Sequence, residues 1–396
     1  MKILVANIGS TSFKFRLYEM ADEHELARGG VEGVGSKKAR CYFSRSGSVE
    51  VREELKSIRD QGQALARCMR MLEDGDSPVL TDHSELAAVG FKAVIAKGLS
   101  GVHRVDKSVL KAMEAYAEIA PAHNPAYIDA MRSLRKRFPK LSLVAAFETG
   151  FHETIPNRNR LYAVPREWAD RYGIRRNGFH GASHCYIAGR MRELTGRDDL
   201  RLISCHLGGS SSICAIRNEQ SVANSFGFSA QSGLPHQDRV GDFDPYALLA
   251  MKQATGKSIK KLLAELADRG GLAALAGEGR DQREIDSAAA AGNSDAQLAL
   301  DVFVSTVRHY VGGYLVELGG ADAIAFTGGV GENSARIRDA VCKEMAWCGV
   351  ELDKGRNETA SGEAKVSNDS SRVAVWILPT NEELVVARQV VELLNR

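Results

Sequence analysis

No apolar run in the chain approaches the roughly 20 residues that a bilayer span needs. The opening MKILVANIGS turns polar after four apolar residues, so no signal-peptide core is expected. An excess of charge of one sign is missing too. Fifty-two basic residues face 50 acidic ones, a net charge of +2, which gives no electrostatic reason to expect nucleic acid or an anionic membrane as partner. The seven cysteines (Cys41, Cys68, Cys185, Cys205, Cys214, Cys342 and Cys348) form no CxxC pair, and their number is odd. Reduced, mostly buried thiols of a cytoplasmic protein are the expectation. Neither a Walker A loop nor a GxGxxG fingerprint is present.

The 396 residues are enough for two or three domains, and 44% hydrophobic with 26% charged residues is a globular composition. Ile3–Met20 organises the reading. Ile3, Leu4 and Val5 predict one strand; Phe13, Phe15 and Leu17 alternate with Lys14, Arg16 and Tyr18 along a second. The turn between them, Asn7-Ile8-Gly9-Ser10-Thr11-Ser12, is small and polar. Its hydroxyls and backbone N–H groups suit phosphate oxygens, with Lys14 adding a positive charge. Leu202–Ile216 repeats the design: strand, the turn Gly208-Gly209-Ser210, strand. The copies lie nearly half the chain apart, too far for a solenoid. Two such hairpins point to a duplicated α/β unit gripping a nucleotide.

Further candidates follow along the chain. Glu148 comes directly after the apolar strand Leu141–Phe147, where α/β folds place their chemistry. A dense stretch, Arg175-Arg176-Asn177-Gly178-Phe179-His180-Gly181-Ala182-Ser183-His184, opens a helix expected over Ser183–Leu194. Helix entrances favour anions. Ala296–Leu318 predicts a helix whose stripe of Phe303, Val307, Tyr310, Val311, Tyr314, Leu315 and Leu318 is core. Ala323–Phe326 is a strand running into the glycine-rich turn Thr327–Asn333, with a helix from Ser334.

Taken together, these stretches resemble the acetate kinase family of the actin/hexokinase/heat-shock-ATPase superfamily. The blocks are Asn7-x-Gly9-Ser10-Thr11-Ser12-x-Lys14, Pro121 to Pro125, Gly178 to His184, His206 to Gly208, Asp281-x-Arg283, Phe326 to Ser334 and Thr380 to Leu384. The resemblance implies an α/β fold of duplicated ribonuclease-H-like domains with the active site in the interdomain cleft. Residues 1–149 plus 384–396 would form the acid-side lobe and 150–383 the nucleotide lobe. It implies direct in-line phosphoryl transfer between ATP and a short carboxylate, giving an acyl phosphate. Mg²⁺ or Mn²⁺ would be the cofactor, held near Asn7 and Glu382 (with Glu383 as competitor), and the enzyme a homodimer. Glu148, His180 and Arg239 fall on catalytic positions, and Lys92, Val94, His123 and Phe179 on acid-binding ones. Lys14, His206, Leu207, Gly208, Gly209, Ser210, Asp281, Gln282, Arg283, Gly329, Val330, Gly331, Glu332 and Asn333 would contact nucleotide.

The chain departs from the family at the acid side. A block that usually reads HRVVHGG is Phe91-Lys92-Ala93-Val94-Ile95-Ala96-Lys97, so Lys92 replaces a planar guanidinium with a point charge. Glu148 stands where the family has aspartate. Ala122 and Ala230 replace larger residues, and Phe91 could refill the space they leave. An acid somewhat larger than acetate is one expectation. The alternative reading is a catalytically impaired nucleotide-binding sensor or scaffold.

Overall fold

The computed structural model describes every residue except Ser10, Lys56, residues 75–77 and residues 278–280. Ser10, part of the first turn, therefore lies outside the described residues. Met1–Gly150 with Asn381–Arg396 form one compact unit, and Phe151–Thr380 form a second. Gly150, Asn381, Glu382 and Glu383 thus belong with the first unit and not with the second, because the last helix, which packs on the first sheet, begins at Glu382 and not at Leu384.

The first unit is built on an eight-stranded sheet. Its strands are β1 (Lys2–Ile8), β2 (Ser12–Glu19), β3 (His24–Glu32), β4 (Ala39–Arg45), β5 (Val51–Leu55), β6 (Leu86–Ala93), β7 (Val102–Arg104) and β8 (Ser142–Phe147), in the order β5-β4-β3-β2-β1-β6-β8-β7. Strands β1 to β5 form an antiparallel meander, β6 and β8 continue from β1 in parallel, and β7 closes the edge antiparallel. Leu4, Ala6, Phe13, Phe15, Val89 and Phe91 join the helices Gln61–Glu73 and Asn124–Arg137 in one core. The opposite face is covered by the helix Glu382–Leu394: a Cβ on Gly90 would lie 2.8 Å from Val390. Alternation of period two thus feeds two helical layers from one strand.

The second unit repeats the plan. Strands β9 (Arg201–His206), β10 (Ser212–Arg217) and β11 (Gln220–Asn224) form the meander. β12 (Ala323–Thr327) and β14 (Ala374–Ile377) extend β9 in parallel, and β13 (Ala364–Lys365) pairs antiparallel at the edge. Phe303, Val307, Val311, Leu315 and Leu318 of the helix Ser294–Leu318 cover one face. Ile187, Ala188 and Met191 of the helix Gly181–Thr195 cover the other. The duplication read from the two hairpins is therefore a duplication of whole sheets.

Several local expectations change. Tyr18 is buried despite its outward place in the alternation, because the register shifts between Leu17 and Tyr18 and its hydroxyl donates to Asn381 Oδ1 at 3.0 Å. The block Pro121 to Pro125 runs into the helix Asn124–Arg137, with Pro125 in the first turn, where a missing N–H costs nothing. Phe91 sits in the first unit's core, edge-on to Tyr127, and Ala122 is exposed. The turn at Gly328–Asn333 is itself a short helix, followed by another over Ala335–Cys342. Five cysteines are buried, Cys185 and Cys348 are partly buried, and all seven are free thiols. Among the described residues no helix is long and apolar enough to cross a membrane.

Candidate functional site

In the first unit the end of β1, the end of β6, the residue after β8 and the start of the last helix converge. Lys92, on β6, donates from Nζ to Glu382 Oε2 and lies 4.0 Å from Glu148 Oε1. Glu148 is buried, its backbone N–H bonded to Ala93 O at 2.8 Å, so it is not a solvated loop residue. Burial alone would pull the Lys92 ammonium down, but Glu382 and then Glu148 hold it above the ordinary lysine range. Asn7 Nδ2 donates to Glu383 Oε1 at 3.3 Å, and Arg16 Nε is 3.7 Å from Glu383 Oε2. The two adjacent glutamates are thus divided: Glu382 goes to Lys92, Glu383 to Asn7 and Arg16. Lys14 is exposed on β2, cross-strand from Asn7. Val94 packs on the core, and His123 precedes the helix at Asn124. Asn124 Nδ2 anchors that entrance by donating to Ile95 O and Met113 O at 3.0 and 2.9 Å.

In the second unit three segments are tied by hydrogen bonds around the second hairpin turn. Leu207 N–H donates to Thr327 O at 2.8 Å, while Leu207 O accepts from Val330 and Gly331 at 2.9 and 3.1 Å. Gly328 has φ +76°, and a Cβ there would stand 2.6 Å from Leu207 O, so glycine is required. Gly328 N–H also donates to Glu332 Oε1 at 3.0 Å. Asn333 Nδ2 folds back onto Gly329 O at 2.8 Å. On the other side of the turn, Gln237 N–H reaches Gly209 O at 2.9 Å, and Ser211 Oγ bridges Gly208. Arg239 crosses between them, donating to Ser210 Oγ at 2.6 Å and to Ala230 O. Burial pushes this guanidinium down to about 10, so charge is held in a poorly hydrated place.

His180 joins the same assembly. It caps the helix Gly181–Thr195 with φ 55° and ψ 33°, a left-handed conformation that costs a non-glycine residue about 1–3 kcal/mol. Its ring lies 4.2 Å from that of His206 and 5.2 Å from Phe226. Phe179 is buried edge-on to Phe226. The two arginines of this stretch are placed apart from the helix entrance: Arg175 is exposed, and Arg176 lies over the Tyr162 ring at 4.8 Å. Asp281 and Arg283 pair with each other at 2.6 Å, and Asp281 caps the helix Gln282–Ala290 in which Gln282 is buried. Sequence reasoning named His184 only as part of the helix-entrance stretch and missed Ser204, Ser212 and His236; all four are buried beside these groups. The spacing of His180 and His184, one helical turn apart, was the available signal.

A sequence profile described as the Acetokinase family matches residues 2–388. An acetate kinase of Clostridium botulinum is 38% identical over 397 residues, covering 99% of both chains. A crystal structure of Porphyromonas gingivalis acetate kinase superposes with a TM-score of 0.89 at 33% identity, over 99% of each chain. A propionate kinase from Francisella tularensis gives 0.89 at 30% identity, over 98% of each. The duplicated α/β fold is therefore that of a phosphotransferase family acting on carboxylates. The chain belongs to the acetokinase family.

Proposed function

We propose that the protein transfers the γ-phosphoryl group of ATP reversibly to a short-chain carboxylate, acetate or a somewhat larger acid. A carboxylate oxygen attacks phosphorus in line as the bond to the β-phosphate oxygen of the leaving ADP breaks. No proton changes hands, because the acceptor is already ionised. Positioning and positive charge are what such a site must supply. The observation that carries this reading is the bonding of Leu207 to Val330 and Gly331 on one side, and of Arg239 to Ser210 on the other. A turn rich in N–H groups and a buried guanidinium in one place suit a polyphosphate.

The roles follow. Arg239 and His180 stabilise the phosphoryl group in transfer. His206, Leu207, Gly208, Gly209, Ser210 and Gly329–Asn333 hold nucleotide, with Lys14, Asp281, Gln282 and Arg283 as further contacts. Lys92, Val94, His123 and Phe179 serve the acid. Glu148 and Glu382, two buried carboxylates sharing one ammonium, fit a hard divalent cation completed by phosphate oxygens and water, and Asn7 supplies a neutral oxygen. Bound there, Mg²⁺ or Mn²⁺ would neutralise phosphate charge.

A homodimer belongs to this reading. The helix Ala247–Thr255 buries none of its residues, and Tyr246, Leu249 and Met251 stand exposed. Seven free thiols agree with a cytoplasmic location. A hydroxamate assay with ATP, Mg²⁺ and acetate, propionate or butyrate tests the activity and ranks the acids. Each accommodated methylene contributes about 1–3 kcal/mol of discrimination. Nucleotide binding without acyl phosphate from any acid would overturn the proposal.

A further inference from the structure

His180 ends a line of hydrogen bonds running into the second unit's sheet. Its Nδ1 lies 2.9 Å from Ser212 Oγ, and that oxygen lies 2.8 Å from His184 Nε2. His184 Nδ1 in turn is 2.9 Å from Ser204 Oγ. Ser212, His184 and Ser204 are all fully buried. Helical spacing sets the two histidines, and the first position of β10 and the fourth of β9 set the two serines.

Counting protons makes the line directional. Three hydrogen bonds need three protons, and Ser212 has one to give. If both rings donated to Ser212, its own proton would have no acceptor in the line. If neither did, one bond would lack a proton. The hydrogens therefore all point towards His180 or all point away from it. Only the second arrangement lets His180 carry protons on both nitrogens. Burial holds His184 well below the ordinary histidine range, so it stays a neutral imidazole that accepts on one nitrogen and donates from the other. Among the groups facing His180 are His184 one helical turn on, His206 from β9, Ser212 from β10 and the Phe226 ring; the titratable ones of these are the two imidazoles. His206 is engaged through Nδ1 with Ser183 Oγ at 2.8 Å.

We propose that Ser212 and His184 are positioning residues. Ser212 accepts the Nδ1 proton of His180 and donates its own to His184, leaving the Nε2–H of His180 as the donor offered to the phosphoryl group. This rests on the assignment of His180 to phosphoryl transfer made above.

The test combines kinetics with ring spectra. Ser212→Ala is expected to lower kcat about tenfold with the nucleotide KM within about twofold, the scale of one lost buried hydrogen bond. Long-range ¹H–¹⁵N spectra of the whole protein should show His180 Nδ1 protonated, with its titration moving to lower pH in Ser212→Ala. Ser212→Thr, which keeps the hydroxyl, should restore both. Unchanged kcat and an unmoved His180 titration in Ser212→Ala would overturn the proposal. So would an unprotonated Nδ1 in the parent protein, a result that needs no variant to fold. The spectra need no turnover. A parent protein inactive on every acid, yet with the spectra as expected, would sink the assigned reaction and leave the proton line standing.

Discussion

Lys92 and Glu382 form an ion pair across 290 residues of sequence. The lysine is the penultimate residue of a central strand, and the glutamate opens the last helix. Glu148 lies 4.0 Å from the same ammonium, which therefore balances two buried carboxylates.

Removing that cation should be expensive for folding. Lys92→Met is expected to lower stability by about 3 kcal/mol, the scale for breaking a buried pair, whereas Lys92→Arg keeps the charge and should lose far less. Urea denaturation of the three proteins measures this. A Lys92→Met protein within about 0.5 kcal/mol of the parent would contradict the pairing.

Arg239 spends its donors on Ser210 Oγ and Ala230 O, a use of the planar fork that lysine cannot copy. Arg239→Lys should therefore reduce kcat for acyl-phosphate formation by about a hundredfold while leaving the urea midpoint close to the parent's. Steady-state kinetics beside a denaturation curve separates the two effects.

Gly328 and Gly329 are neighbours with opposite tolerance. A Cβ at Gly328 meets Leu207 O at 2.6 Å with φ at +76°, while one at Gly329 meets nothing within 4 Å. Gly328→Ala should destabilise by about 1–3 kcal/mol and raise the nucleotide KM without moving that of the acid. Gly329→Ala should leave stability near the parent's. Equal behaviour of the pair in thermal melts would refute this account of the turn.

Acid should weaken the second unit before most carboxylates titrate. Burial pushes His152 down to about 4 and holds His184 and His236 well below the ordinary range. Unfolding returns each to about 6.5, so below that pH the unfolded chain binds more protons and stability falls as pH falls, by up to about 1.4 kcal/mol per pH unit for each histidine. For His152 the loss ends near pH 4. Urea midpoints at pH about 7.5 and about 5 should differ in that direction, with a smaller difference in His152→Gln. Equal midpoints at the two pH values would exclude it.

Legibility in the sequence followed locality. Both hairpins could be read because strand alternation and a small polar turn lie within about fifteen residues. The edge strands β5, β7 and β13 escaped notice because they are short and bury none of their residues fully, with little apolar patterning to show. Gly328–Asn333 read as a loop because its helical form depends on a carbonyl from Leu207, over 100 residues earlier. The contact of Glu382 with Lys92, and of Glu383 with Asn7, could not be read from residues so distant in sequence. Tyr18 misled because its partner, Asn381, is likewise at the far end of the chain.

The connectivity that places Glu382–Leu394 with Met1–Gly150 also imposes a schedule on synthesis. Val386 and Val390, which lie against Gly90, are made only after the whole of Phe151–Thr380. Until then a nascent chain carries an uncovered sheet surface and a lysine still waiting for its glutamate. The later-born unit can close its own sheet first, and the earlier-born one must be finished last.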